Sequence, residues 1–281
     1  VRRGARRAPP ALASSGAMSK APPRKLLVEE RRRLIVDFVE AHGRATVEEL
    51  AAKFGTSAVT IRADLEALAR SAAIARSHGG ALPAAPPVSS DTPLNIKETR
   101  RHAQKQRIGQ AAVRLIKDGE TIILDAGSTT AEIARQIRQR KFESLTVITN
   151  ALNIALELSD QPQVRVMMLG GMLRPTSYSL VGPDAEQTLS RLSADRLFLG
   201  VDGLDPAIGV STPDPLEASL NALMIKVSRE TVAVFDASKL GVRSLAVITP
   251  VERLHKAITD TSAPAQTVEA LRAAGVEVVL V

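Results

Sequence analysis

Three runs between residues 46 and 81 decide how this chain is read. They are Thr46-Val-Glu-Glu-Leu-Ala-Ala-Lys-Phe54 followed by Gly55, then Ser57-Ala-Val-Thr-Ile-Arg-Ala-Asp-Leu65, then Arg76-Ser-His-Gly-Gly-Ala81. Thr46 with Glu49 three residues on is a capping box, and the helix it opens turns Val47, Leu50, Ala51 and Phe54 inward. Gly55 supplies the turn. Ser57 caps a second helix whose inward stripe reads as Val59, Ile61, Leu65 and Leu68. Upstream, Leu27, Leu34, Ile35, Phe38 and Val39 mark a further helix, stopped by Gly43. Downstream, residues 73–83 alternate and turn at Gly79-Gly80, as a two-stranded wing would. Three helices and a wing predict a winged helix-turn-helix over 26–83, whose third helix enters the major groove of duplex DNA.

On that third helix Ser57, Ala58, Thr60, Arg62 and Ala63 fall away from the apolar stripe. Arg62 can fork onto guanine O6 and N7 or grip a phosphate. Thr60 suits a thymine methyl or a phosphate, with Ser57 beside it. Arg76 and His78 on the wing are expected to contact backbone or minor groove.

Charge supports this placement. The 281 residues carry +7, yet residues 1–33 alone sum to +8, so everything after them sums to −1. A basic start strengthens salt-dependent association with polyanions. Residues 1–25, rich in Ala, Pro, Arg and Ser, are expected to be a disordered basic tail. Met18 reads as a more ordinary start than Val1, with 1–17 expected to precede true translation. There are no cysteines, which fits a reducing cytoplasm. The four histidines are scattered, so no metal site and no cofactor are expected. No apolar run is long enough to span a membrane. With no Trp and one Tyr, the chain lacks the stacking platforms that single-strand binders use.

Pro83, Pro86, Pro87 and Pro93 predict a linker over 84–94, after which a long basic helix is expected from about Asn95 to Ile116. Beyond it, strand-like runs alternate with helical ones. The strands are Thr121–Leu124, Leu145–Ile148, Val164–Leu169, Arg196–Val201, Thr231–Phe235, Ala257–Thr259 and Val276–Leu280. The helices include Thr129–Gln139, Ala151–Leu158, Asp184–Leu192, Pro215–Val227 and Ala265–Ala274. That alternation predicts an open, mostly parallel α/β sheet over 95–281, with ligands bound beyond the strand carboxyl ends. Asp125-Ala-Gly-Ser-Thr-Thr130 joins a buried strand to a helix start. Gly127 with Ser128, Thr129 and Thr130 makes an anion site there, where backbone amides, helix dipole and hydroxyls converge. No Gly-Lys-Ser/Thr follows, so it is not a nucleotide P-loop. Asn150, Gly170, Arg174, Asp202, Asp236 and Lys239 also follow strands. A cation such as Arg174 or Lys239 suits a phosphorylated polyol.

Thr60-Ile-Arg-Ala-Asp-Leu65 with Arg76-Ser-His-Gly-Gly-Ala81 resembles the signature of the DeoR family of bacterial transcription regulators. The resemblance extends over Asp125–Thr130, Leu169-Gly-Gly171, Gly200-Val-Asp-Gly203, Gly209-Val-Ser-Thr212 and Asp236-Ala-Ser-Lys239. It implies a sensor fold similar to ribose-5-phosphate isomerase and the CoA transferases, and a sugar-phosphate effector, usually an inducer. By the same resemblance Glu217, Asp236 and Lys239 are candidates for contacts with sugar hydroxyls. The family pattern carries a second arginine where this chain has Ala63, which implies one DNA contact fewer and a salt slope shallower by about one unit. Ser177-Tyr-Ser-Leu-Val-Gly-Pro183 and Ser211-Thr-Pro-Asp214 are similar to regulators of amino-sugar and tagatose-type pathways. The expectation is a repressor of a carbohydrate catabolic operon, working as a homo-dimer or homo-tetramer on paired half-sites. Two rivals stand beside it: a sugar-phosphate isomerase with a DNA-binding appendage, and an adaptor whose N-terminal helices bind protein.

Overall fold

The computed structural model describes residues 27–71, 73–77, 79–83 and 91–281. The expected tail over 1–25, His78 and residues 84–90 of the expected linker lie outside them. The chain divides into two compact units, residues 1–84 and 85–281.

In the first unit α1 (Val28–His42) ends at Gly43, whose left-handed backbone (φ 74°) donates its N–H to Val39 O. Its buried stripe is Arg31, Ile35 and Val39, one residue per turn. Leu27, expected inside, is 72 % exposed, and Leu34 and Phe38 are only half-buried. Arg31 takes the inner place because Asp64 draws it there, Nε to Oδ2 at 2.6 Å. The short strand β1 (Ala45–Thr46) leads into α2 (Val47–Phe54). The capping box is formed in full: Glu49 N–H donates to Thr46 Oγ1 at 3.2 Å, and Thr46 N–H to Glu49 Oε2 at 2.8 Å. Gly55 (φ 59°) ends α2, and α3 (Ala58–Arg70) follows with Ser57 as its cap.

The inward stripe of α3 is Ile61, Asp64, Leu65 and Leu68. Val59 does not belong to it and is 72 % exposed. At ~100° per residue, two positions before Ile61 lies on the far side of the helix. The wing is β2 (Ile74–Ser77) paired antiparallel with β3 (Gly80–Pro83). The sheet has three strands rather than the expected two, because β1 pairs the other edge of β3. A two-residue strand leaves no alternation to read. Gly80 is required there: a Cβ would fall 2.2 Å from Ala45 O.

The second unit opens with α4 (Leu94–Thr99) and α5 (His102–Val113). The single long helix expected over 95–116 is therefore broken, at Arg101 with φ 50°. Next come β4 (Thr121–Leu124), α6 (Ser128–Gln139), β5 (Leu145–Thr149), α7 (Leu152–Leu158) and β6 (Val164–Met168). A hairpin, β7 (Met172–Arg174) with β8 (Ser179–Val181), precedes α8 (Pro183–Leu189) and β9 (Ala194–Gly200). Then follow β10 (Gly203–Asp205), β11 (Gly209–Thr212), α9 (Pro215–Val227), β12 (Ser228–Val234), β13 (Ala246–Thr249), β14 (Lys256–Thr259), α10 (Ala265–Ala273) and β15 (Glu277–Leu280).

All seven strands expected from the alternation form one sheet, in the order β15-β14-β12-β9-β4-β5-β6, parallel throughout. Neighbouring residues serve opposite faces. Ile122 and Leu124 pack with α5, α6 and α7 through Ile108, Ile133, Ile137 and Ile154. Ile123 packs on the other face with α8, α9 and α10, through Leu189, Leu220, Met224 and Leu271. The remaining β7, β8, β10, β11 and β13 pair antiparallel and were not anticipated as strands.

Candidate functional site

The outward face of α3 carries Val59, Arg62, Ala63, Glu66 and Arg70, all exposed. Their spacing of three and four residues puts them on one side of the helix. Ser57 and Thr60 are tied to each other at its start. Thr60 N–H donates to Ser57 Oγ at 3.1 Å and the two hydroxyl oxygens lie 2.9 Å apart. Arg76 is exposed on β2, opposite Ala81. Within Thr60–Leu65 the arginine faces out and the aspartate faces in. Asp64 is 2 % exposed and accepts from Arg31 Nε and, at 3.0 Å, Arg32 Nε. Val59 and Glu66 were missed by the sequence reading, although counting turns from Ile61 finds both.

The second site follows from topology. The chain enters the sheet at β4, passes to β5 and β6 on one side, then returns to β9, β12, β14 and β15 on the other. The carboxyl ends of β4 and β9 thus flank a switch point, where open α/β sheets leave a crevice. Asp125, directly after β4, is 1 % exposed and accepts Gly200 N–H at 2.8 Å. Burial pushes the Asp125 carboxyl well above the usual carboxylate range, and Glu217 and Asp202 push the same way. Gly127 then opens α6 with no side-chain cap. Thr130 Oγ1 donates back to Gly127 O at 2.9 Å. The amides of the first turn are left without a capping side chain, at the positive end of a twelve-residue helix.

These groups wall a cleft. Asp125, Gly127, Ser128 and Thr129 form one side, with Gly200 and Asp202 beside them. Glu217 and Asn221 come from α9, Thr212 from β11, Ser177 from the β7–β8 hairpin, Lys239 from the turn after β12, and Leu94 and Lys97 from α4. Lys97 Nζ lies 2.6 Å from Asp202 Oδ1, and Lys239 Nζ lies 3.9 Å from it. Burial works to raise the Asp202 carboxyl, but the two lysines outweigh it and hold the group below its ordinary value. Glu217 Oε1 accepts from Ser177 Oγ at 2.6 Å and Ser179 Oγ at 2.8 Å, and Thr212 Oγ1 reaches Oε2 at 3.2 Å.

Seven residues named from the sequence therefore meet at one cleft: Asp125, Gly127, Ser128, Thr129, Asp202, Glu217 and Lys239. Five others do not line it. Thr130 lies behind the wall, fully buried. Arg174 is held by Asp91, by Asp214 at 3.0 Å and by Glu217 at 3.1 Å, so it positions Glu217 rather than facing the cleft. Asn150 ties β5 to β8, its Nδ2 donating to Leu180 O at 3.2 Å. Gly170 is exposed beyond β6. Asp236 caps the turn at Ser238 and pairs with Arg101 at 3.5 Å. Leu94, Lys97, Ser177, Thr212 and Asn221 were not named beforehand. Ser177 and Thr212 stood in quoted motifs, but nothing local to Lys97 marks it.

A family model described as the DeoR C terminal sensor domain matches residues 100–261, and one described as the DeoR-like helix-turn-helix domain matches residues 31–85. The chain belongs to the DeoR family. It is 41 % identical over 253 residues to a putative aga operon transcriptional repressor of Escherichia coli O157:H7, covering 90 % of this chain and 93 % of that one. It is 37 % identical to the HTH-type transcriptional regulator GlpR of Haloferax volcanii, over 90 % of this chain and 98 % of that protein. The glycerol-3-phosphate regulon repressor of Escherichia coli K12 is 29 % identical over 86 % of this chain and 94 % of its own length. Among solved structures, ribose 5-phosphate isomerase A from Methanocaldococcus jannaschii aligns with a TM-score of 0.37 and 20 % identity over 50 % of this chain and 54 % of that one. Members of the DeoR family are transcriptional regulators and not enzymes, so neither the isomerase nor the adaptor reading is kept. Most of the cleft lies inside the DeoR sensor match, but Leu94 and Lys97 fall between the two matched ranges. Among the described residues no helix is long and apolar enough to cross a membrane.

Proposed function

We propose that this DeoR-family chain represses a carbohydrate catabolic operon in the cytoplasm and that a phosphorylated sugar, bound in the sensor cleft, lowers its affinity for DNA. In this division of labour residues 26–83 read duplex DNA, 84–94 link, and 95–281 sense. The observation that carries the reading is the uncapped start of α6 at the β4/β9 switch point. An anion there meets backbone amides, the Ser128 and Thr129 hydroxyls and the helix dipole. Around it, Asp202, Glu217, Lys239 and the raised Asp125 offer donors and acceptors to sugar hydroxyls. The names of two relatives, an aga operon repressor and a glycerol-3-phosphate regulon repressor, support a phosphorylated polyol as effector.

On the DNA side, Arg62 and Arg76 are exposed, with Ser57 and Thr60 at the start of the reading helix. A short helix of this kind reads one half-site, so a homo-oligomer supplies the second. Exposed Leu152, Leu156, Met167, Met172, Leu173 and Tyr178 on α7, β6 and the β7–β8 hairpin support such an association. The effector can shift DNA affinity only by the difference in its own affinity for the DNA-competent and DNA-incompetent arrangements.

Fluorescence anisotropy on the DNA flanking its own gene tests the reading. One phosphate ester from a panel of amino-sugar, ketose and glycerol phosphates should weaken binding about tenfold or more. Arg62→Ala should weaken binding without ester by about 1–3 kcal/mol. Equal affinity with every ester and with none would defeat the sensing half.

A further inference from the structure

Segment 91–105 does more than join two units. It lies along the sensor cleft and is fastened there almost wholly by polar contacts. Asp91 pairs with Arg174, and Leu94 N–H donates to Thr176 O at 2.8 Å. Lys97 pairs with Asp202 at 2.6 Å, Glu98 with Arg135 at 3.2 Å, Arg101 with Asp236 at 3.5 Å and His102 with Glu132 at 3.4 Å. From α5, Lys105 reaches back and donates to the carbonyls of Lys97 and Arg100, closing the carboxyl end of α4. Lys105 is 3 % exposed. Apolar anchoring is slight: of the α4 side chains only Leu94 is buried, and Ile96 is 42 % exposed.

The free volume beneath this segment is about 40 Å³, room for a water or two and far below the roughly 300 Å³ at which small-molecule pockets begin. A sugar phosphate seated at Gly127 therefore has to move part of the wall. The elements of the parallel sheet and its helices share buried cores on both faces. α4 shares little of them. Its side-chain contact with the cleft, Lys97 to Asp202, is of a kind that such a ligand replaces on both sides. An anionic oxygen takes the ammonium, and a sugar hydroxyl donates to the carboxylate.

We propose that Lys97 is an effector-binding residue carried on a displaceable segment: the phosphorylated sugar takes Lys97 from Asp202 and shifts α4, and that shift is what the DNA-binding unit receives. This rests on the reading of the cleft as the effector site. The segment is placed for the task, since only residues 84–90 separate it from the wing strand β3. It also lies ahead of the family's sensor match, which begins at residue 100.

Hydrogen exchange on the full chain, read with partial proteolysis, tests it. A thermal-shift screen of hexose 6-phosphates, ketose phosphates, amino-sugar phosphates and glycerol 3-phosphate first identifies a binder. Ser128→Glu is the control that removes its binding. With that ester present, amides 94–101 should exchange about tenfold faster, and trypsin should cut at Lys97, Arg100 or Arg101 sooner. Lys97→Gln should bind the ester about tenfold more weakly. Without any ester, the same variant should already show the faster exchange over 94–101 while the sheet amides stay protected. Unchanged or slower exchange over 94–101 on binding, or wild-type affinity in Lys97→Gln, overturns the proposal and leaves the cleft reading intact. A screen in which no ester binds defeats the cleft reading. In that case unchanged exchange in ester-free Lys97→Gln overturns the fastening role separately.

Discussion

Two helix starts in this molecule both carry serine and threonine and have opposite construction. Ser57-Ala-Val-Thr60 opens α3, and Gly127-Ser-Thr-Thr130 opens α6. In α3 the first hydroxyl turns back to cap its own helix, accepting the Thr60 amide, and the exposed side chains face outward. In α6 the capping position is a glycine with no side chain to give, and the following hydroxyls are buried. The first arrangement presents side chains, which is what reading base edges needs. The second presents backbone amides, which is what seating an anion needs. Hydroxyl content does not separate the two; the identity of the residue at the cap does.

The comparison can be broken most severely at α6. Ser128→Glu places a carboxylate where the anion sits and should abolish ester-induced thermal stabilisation, while DNA binding without ester stays at the wild-type level. A variant that still responds to ester would move the site elsewhere. Next in size is Asp64→Ala. It leaves Arg31 buried without its partner and should destabilise the first unit by about 3–5 kcal/mol in denaturant melts. An effect confined to DNA contacts would show no loss of stability. Ser57→Ala should lower the stability of the first unit by about 1 kcal/mol, because α3 loses its cap. No equivalent loss is available at Gly127.

The smallest effect is a pH dependence. Asp125 titrates above its unfolded value, so its contribution is fully present below about pH 3.9 and is lost as pH rises through the folded value. Asp125→Asn should therefore gain in melting temperature over wild type at pH 8 relative to pH 4. Parallel pH profiles for the two proteins would contradict it.

Much of the fold was legible because parallel strands buried on both faces are continuous apolar runs, such as Thr121–Leu124 and Thr231–Phe235. The turn chemistry around Gly43, Gly55 and Gly79-Gly80 was equally plain. The antiparallel strands β10 and β11 were not, being short and rich in glycine or polar residues, and β13 is a four-residue apolar run too short to stand out. The break at Arg101 escaped because the charged pattern of 95–116 reads as one helix, and the break is stabilised by Lys105 reaching across it. The strand-end rule brought six residues to the cleft, and the family resemblance brought Glu217. The rule misplaced Arg174 and Asn150, whose partners come from Asp91, Asp214 and Leu180, contacts no local spacing discloses. Lys97 was invisible for the same reason, since its partner Asp202 is far along the chain.

The Asp64 carboxylate has a consequence for ion release. Arg31 and Arg32 both point their guanidinium nitrogens at it, and of the triplet Arg31-Arg32-Arg33 only Arg33 is left fully on the outside. Asp64 cancels one of these charges and Glu29, 3.2 Å from Arg32 Nη1, pairs the other, so two charges that composition assigns to the operator are already matched within the protein. The number of counterions displaced when the head settles on DNA should fall short of the basic-residue tally by about that pair.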